Sequence, residues 1–132
     1  MFSLAFSARA LTFDDLIGMY ICKRTETTPT GVIRYDEIQV YETDGMVSSY
    51  IYRDGVFIQG LTAAVELTET GRFSATSDGA VITLHGHHLE VTAEFPEVET
   101  TIHIEGHRSE KLPHWLKQET RQSIIEPRPR AR

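Results

Sequence analysis

Between Leu16 and Glu105 the chain alternates short apolar and polar runs, broken by acidic-residue/Gly pairs at Asp44-Gly45, Asp54-Gly55, Asp78-Gly79 and Glu105-Gly106. Glycine accepts the positive φ of a tight reversal, and aspartate bonds the turn backbone beside it, so the pattern predicts consecutive antiparallel hairpins. Such a meander closes most simply into a barrel.

Thr12 followed by Phe13-Asp14-Asp15-Leu16-Ile17 predicts a capped helical turn ended by Gly18. In the first strand, Tyr20, Cys22 and Arg24 share one parity, and Met19, Ile21 and Lys23 the other. Thr28-Pro29-Thr30-Gly31 turns the chain. In the next run Ile38 and Val40 oppose Glu37, Gln39 and Tyr41, while Ile33 and Tyr35 have the opposite parity to Ile38, a slip that predicts a bulge near Asp36.

Met46 to Arg53 reads as a strand with apolar side chains on both faces. Val56 to Thr70 mixes helical spacing at Leu61, Ala64 and Val65 with strand-forming residues. Gly71 to Thr76 and Ala80 to Leu84 predict a hairpin, and the single parity from Val81 through Phe95 predicts one long strand bent at Gly86. Thr100 to Glu105 adds a strand. Pro113, then Leu116, Thr120 and Ile124 at four-residue spacing, predicts a C-terminal helix lying on the barrel wall.

The 132 residues, 40% hydrophobic, suit one domain over residues 1–126 with a solvated Pro/Arg tail over 127–132. A formal charge of −6, concentrated ahead of that basic tail, argues against a nucleic-acid partner. Cys22 is the lone cysteine, which excludes an internal disulfide and makes a reducing, cytoplasmic setting the expectation. The apolar stretch Met1 to Ala10 has no basic residue ahead of it and reads as mature chain rather than as a leader. No apolar run approaches the roughly 20 residues of a membrane span, so no membrane partner is expected.

Several segments together resemble the lipocalin-like families of the calycin superfamily, small intracellular barrels. Phe13 to Tyr20 is similar to the opening helical turn and Gly-x-Trp entry strand, with Tyr20 in place of Trp. Val40 to Ser48 resembles the strand, Asp-Gly turn and strand of such proteins. Gly71-Arg72-Phe73 leading to Val81–Pro96, and Ile104-Glu105-Gly106-His107-Arg108, resemble the histidine-containing strand and the closing turn. The resemblance implies an all-β, antiparallel up-and-down lipocalin-like barrel with a short N-terminal helical turn and a C-terminal helix. Its interior would be filled or would hold one small, largely apolar metabolite, and members include carriers and cofactor-free isomerases and cyclases.

Histidine and carboxylate can exchange protons near neutral pH. His88 with Glu90, and His103 with Glu105, repeat an i, i+2 spacing that would serve as acid–base catalyst if it faced a cavity; the same spacing also suits an outer, solvated face. The expected catalytic set is therefore His88, His103 and Glu90, with no cofactor. Tyr20, Tyr35, Tyr50 and Tyr52, with Arg53, are the expected ligand-binding residues, because phenols orient a carbonyl while their rings line apolar space. Gly79 ahead of His85-Gly86-His87 fits the opening half of a cupin metal motif, but its other half is missing, and no metal is expected. The alternatives are a non-catalytic carrier and a filled barrel acting as a protein-interaction module. A homodimer through exposed barrel edges is a further expectation.

Overall fold

A computed structural model describes residues 11–68, 72–75 and 79–116. They form one helical turn, α1 (Phe13–Leu16), and eight strands: β1 (Gly18–Thr28), β2 (Gly31–Tyr41), β3 (Met46–Arg53), β4 (Val56–Leu67), β5 (Phe73–Ala75), β6 (Val81–His85), β7 (His88–Phe95) and β8 (Thr100–Arg108). Each strand pairs antiparallel with the next, and β8 returns to pair with β1, closing the barrel.

The turns follow from their residues. Asp54 (φ 53°) and Gly55 (φ 79°) both occupy the left-handed region, as a two-residue hairpin between right-twisted strands requires. At the entry, the Thr12 backbone N–H donates to the Asp15 carboxylate at 2.7 Å, and this closes the first turn of α1.

Several sequence expectations are corrected. Val56–Leu67 is one strand throughout. The expected single strand over 81–95 is two strands joined by a tight turn at Gly86-His87, where His85 pairs with His88 and Gly86 has φ 64°. Partners across a two-residue turn have opposite parity, so the buried side changes from Ile82 and Leu84 to Leu89, Val91 and Ala93, and that switch is what marks a hairpin rather than a bent strand. No register shift occurs at Asp36, which pairs with Lys23 and Tyr52; the bulge lies instead where Ile51 pairs with Gln59 and Tyr52 with Phe57. Glu105-Gly106 is not a turn but the interior of β8. Of the expected C-terminal helix only Pro113–Leu116 is described, a turn in which the Leu116 N–H donates to the Pro113 carbonyl at 3.2 Å; its remainder, the Pro/Arg tail, the N-terminal stretch and the turn residues Ser77 and Asp78 lie outside the described residues.

The barrel is packed at the end that α1 covers. Leu16, Tyr20, Tyr41, Phe73, Leu84 and Leu89 are buried there, and the Tyr20 and Tyr41 rings meet edge to face with centroids 5.5 Å apart. Arg108, from the end of β8, lies over the Tyr20 ring with its guanidinium carbon 5.2 Å from the centroid. It donates hydrogen bonds to the Asp15 carbonyl and the Tyr20 hydroxyl, which ties the last strand to α1 and the first.

A second apolar cluster lies outside the barrel. Met19, Ile21, Ile38, Val40, Tyr50 and Tyr52 point away from the interior and pack under Leu112, Trp115 and Leu116. Tyr52 meets Trp115 at 5.4 Å between centroids. The first three strands are therefore apolar on their outer face, which frees their inner face to carry polar groups.

Gly106 is where the closing ladder is tightest. A Cβ at this position would stand 2.5 Å from Cys22 Sγ and 2.7 Å from the Ile21 carbonyl oxygen. Gly106→Ala should therefore lower the unfolding free energy by about 2 kcal/mol through overpacking against backbone. Urea denaturation checks this, and a wild-type midpoint would contradict it.

Candidate functional site: a polar chain inside an apolar barrel

Beyond the packed end, the barrel holds a cavity of about 300 Å³, at the small end of ligand pockets. Alternation along the ladders brings its wall together from most strands. The apolar lining includes Val47, Ala63, Ile82, Val91, Ala93 and Ile104. The polar lining comes from Arg24 on β1, Glu37, Gln39 and Tyr41 on β2, Ser49 on β3 and Thr62 on β4.

These polar side chains form a continuous hydrogen-bonded chain. Arg24 Nε donates to Glu26 Oε2 at 2.7 Å, and Arg24 Nη1 donates to Glu37 Oε1 at 2.9 Å. Gln39 Nε2 donates to the other Glu37 oxygen at 2.7 Å, and the Tyr41 hydroxyl donates to Gln39 Oε1 at 2.6 Å. Glu37 has no exposed surface, and Arg24 retains 8%. Burial disfavours the Arg24 charge, but Glu37 and then Glu26 outweigh it and push its pKa up. Burial drives the Tyr41 phenol well above its ordinary value. It raises the neighbouring Cys22 thiol strongly too, so Cys22 is an inert core residue.

One ladder of the barrel is short among the described residues. β4 joins β5 only through Val65–Leu67, so among the described residues its first part pairs with β3 alone. Leu61, Thr62 and Ala63, three residues in a row, all line the cavity. A strand facing the cavity squarely would present alternate residues, so among the described residues the cavity lies along the edge of β4 beside half-exposed Leu61.

The residues expected from sequence fall elsewhere. His103 and Glu90 are brought together, 2.7 Å apart, but on the outer wall, with roughly two fifths of each side chain exposed. His88 stands 3.3 Å from Glu105 on the same outer face. The inward positions of β7 and β8 are taken by Leu89, Val91, Ala93, Ile102 and Ile104. His85 and His87 are exposed at the β6–β7 turn, and among the described residues no group of three or more His, Cys, Asp or Glu side chains is placed to hold a metal ion.

Tyr20 belongs to the packed end, where its hydroxyl donates to the Leu16 carbonyl at 2.9 Å. Tyr50 and Tyr52 belong to the outer apolar cluster, where burial lifts the Tyr52 phenol to about 12. Tyr35 is half-buried opposite Arg24 in the β1–β2 ladder, and Arg53 is exposed. The tyrosine that lines the cavity is Tyr41. Sequence reasoning missed Arg24, Glu37, Gln39 and Tyr41. The available signal was opposite charges at Arg24 and Glu37, each sharing parity with its own strand's aromatic, Tyr20 or Tyr41.

Set against protein-family models the chain matches none, and it matches no curated protein. The fold is similar to the crystal structure of a protein of unknown function from the DUF3598 family of Nostoc punctiforme, at 9% identity and a TM-score of 0.42. The likeness covers 76% of this chain and 50% of that one, so this chain spans about half of that protein's length. Among the described residues no helix is long and apolar enough to cross a membrane.

Two predictions follow from these contacts. Arg24→Met should cost about 3–5 kcal/mol, because it leaves the Glu37 carboxylate buried without its cation, whereas the Arg24→Met/Glu37→Leu double variant should recover most of that loss. Thermal and chemical denaturation of both variants would check this, and equal losses would contradict it. On the outer wall, the hydrogen bond with His103 holds the Glu90 carboxyl below its ordinary value. With the folded pKa lowered, this contact stabilises the fold above the unfolded carboxylate pKa, and that contribution is lost as pH falls through the folded value. In an NMR titration, His103→Gln should raise the Glu90 pKa toward the ordinary range; an unchanged value would show the contact to be inconsequential.

Proposed function

We propose that this protein binds one small, largely apolar molecule inside the barrel. The observation that carries the reading is the chain from Arg24 through Glu37 and Gln39 to Tyr41, buried along one wall of an otherwise apolar cavity. A buried ion pair is a poor way to stabilise a filled core, since well-packed hydrophobic residues do as well or better. A pocket that must orient a ligand needs just such a small number of fixed polar groups on an apolar lining. The edge of β4 beside Leu61 would be that molecule's route in.

The same geometry supports placing the barrel with the lipocalin-like calycins. The two terminal segments that resemble that superfamily, Phe13 to Tyr20 and Ile104 to Arg108, meet where Arg108 covers Tyr20. A cytoplasmic setting agrees with the single, buried, unpaired Cys22. A homodimer would form on the free part of the β4 edge, where Val56, Phe57 and Ile58 are exposed.

A second reading is conversion of the bound molecule by cofactor-free acid–base chemistry, an isomerisation or cyclisation. The groups that favour it are the Glu37 carboxylate as proton acceptor and the Tyr41 hydroxyl as donor, because both line the cavity. His88, His103 and Glu90 would act in such chemistry only on a molecule held at the outer wall.

N-phenyl-1-naphthylamine, a neutral dye that fluoresces in apolar surroundings, tests the binding reading. Saturable binding of one dye per chain is expected for the wild type. Ala93→Phe, which places a ring in the cavity, should remove at least nine-tenths of the signal while the far-UV circular dichroism stays unchanged. Wild-type binding by the folded variant would mean that the dye site is not the barrel interior.

A further inference from the structure

The ligand class can be narrowed from the charges and hydrogen-bond capacity of the cavity wall, an inference that rests on the binding reading above. The guanidinium of Arg24 is the cationic group in the lining, and it is held between two carboxylates, Glu37 Oε1 at 2.9 Å and Glu26 Oε2 at 2.7 Å. The local sum is one negative charge. A ligand carboxylate approaching Arg24 would therefore be a third anion around one cation, in surroundings too dry to screen it.

The hydrogen bonds left over point the same way. Both Glu37 oxygens and the Gln39 carbonyl oxygen already accept bonds within the chain. The guanidinium has five N–H donors, of which Glu26 and Glu37 take two, and the Gln39 amide has two, of which Glu37 takes one. Unused donors thus remain at Arg24 and Gln39, the charged one at Arg24 being the strongest, and they suit an acceptor on the ligand, while the Ser49 and Thr62 hydroxyls in the same lining can either donate or accept.

Among uncharged oxygens a carbonyl, with two exposed lone pairs and no proton of its own, is the acceptor best suited to two converging donors. We infer that the barrel takes a neutral, carbonyl-bearing apolar molecule, a ketone, aldehyde, ester or lactone, and discriminates against carboxylates of equal size. The ligand oxygen would lie against Arg24 and Gln39, with its hydrocarbon part against Ile82, Val91, Ala93 and Ile104.

The test is displacement of bound N-phenyl-1-naphthylamine by 2-decanone and by decanoate at pH 7.5, in wild type, Glu37→Gln and Glu26→Gln. Glu26 is about a quarter exposed, so Glu26→Gln keeps the proposal testable if Glu37→Gln does not fold. In wild type, 2-decanone should displace the dye at a concentration at least ten-fold lower than decanoate. Each folded variant, having lost one negative charge beside Arg24, should narrow that gap at least three-fold. Decanoate displacing as well as the ketone would overturn the assignment while leaving the cavity a binding site. A gap that neither substitution changes, or displacement by neither compound with the dye bound, would also overturn it. Failure of the dye itself to bind would instead overturn the binding reading.

Discussion

Everything in this molecule depends on β8 returning to β1. That ladder runs from Tyr20 opposite Arg108 to Thr27 opposite Thr101, and it is what turns a meander of hairpins into an enclosure with an inside. Two features hold it. Gly106 lets the backbones approach where any side chain would collide with Cys22. Arg108 reaches over the Tyr20 ring to the carbonyl of Asp15, so that the first turn and the last strand share one residue's charge and hydrogen bonds. With the sheet closed, alternation sorts every side chain on these strands into inward or outward, and the sorting of β1 and β2 is the unusual part.

On those two strands several outward positions are apolar and several inward ones charged or polar. Ile21, Ile38 and Val40 face out and are covered by Leu112, Trp115 and Leu116, while Arg24, Glu37 and Gln39 face in. The outer cluster and the inner polar chain are two consequences of one register. A one-residue slip would carry the ion pair into the cluster and Ile38 into the cavity. The segment after β8 is thus part of what fixes the site, although it does not reach the cavity.

The barrel architecture was legible in the sequence because turn chemistry is local. Asp44-Gly45, Asp54-Gly55 and Pro29-Thr30 mark reversals by conformational needs that no distant contact has to supply. Glu105-Gly106 carries the same signature for a different reason, since its glycine answers to the Cys22 side chain on another strand, and only the pairing reveals that. The site was less legible. Periodicity reports which residues share a face, but not which face is inside when the outer one is also buried. His103 and Glu90 come together across β7 and β8, and not within the i, i+2 pairs that the sequence offered, on the outer face of the wall rather than the face that cavity chemistry requires.

β5 has consequences out of proportion to its length. Among the described residues Phe73–Ala75 bonds to its neighbours over three residues, whereas β1, β2 and β8 are held along nine or more. Strands with few ladder bonds open at low free energy, well before the domain unfolds. Of the described strands β5 is therefore the least tied, and it stands beside the edge of β4. For any molecule held inside, exchange with solvent would be timed by local fraying at β5 and not by global stability, so a substitution that lengthened this strand would make the protein sturdier and slower to fill or empty.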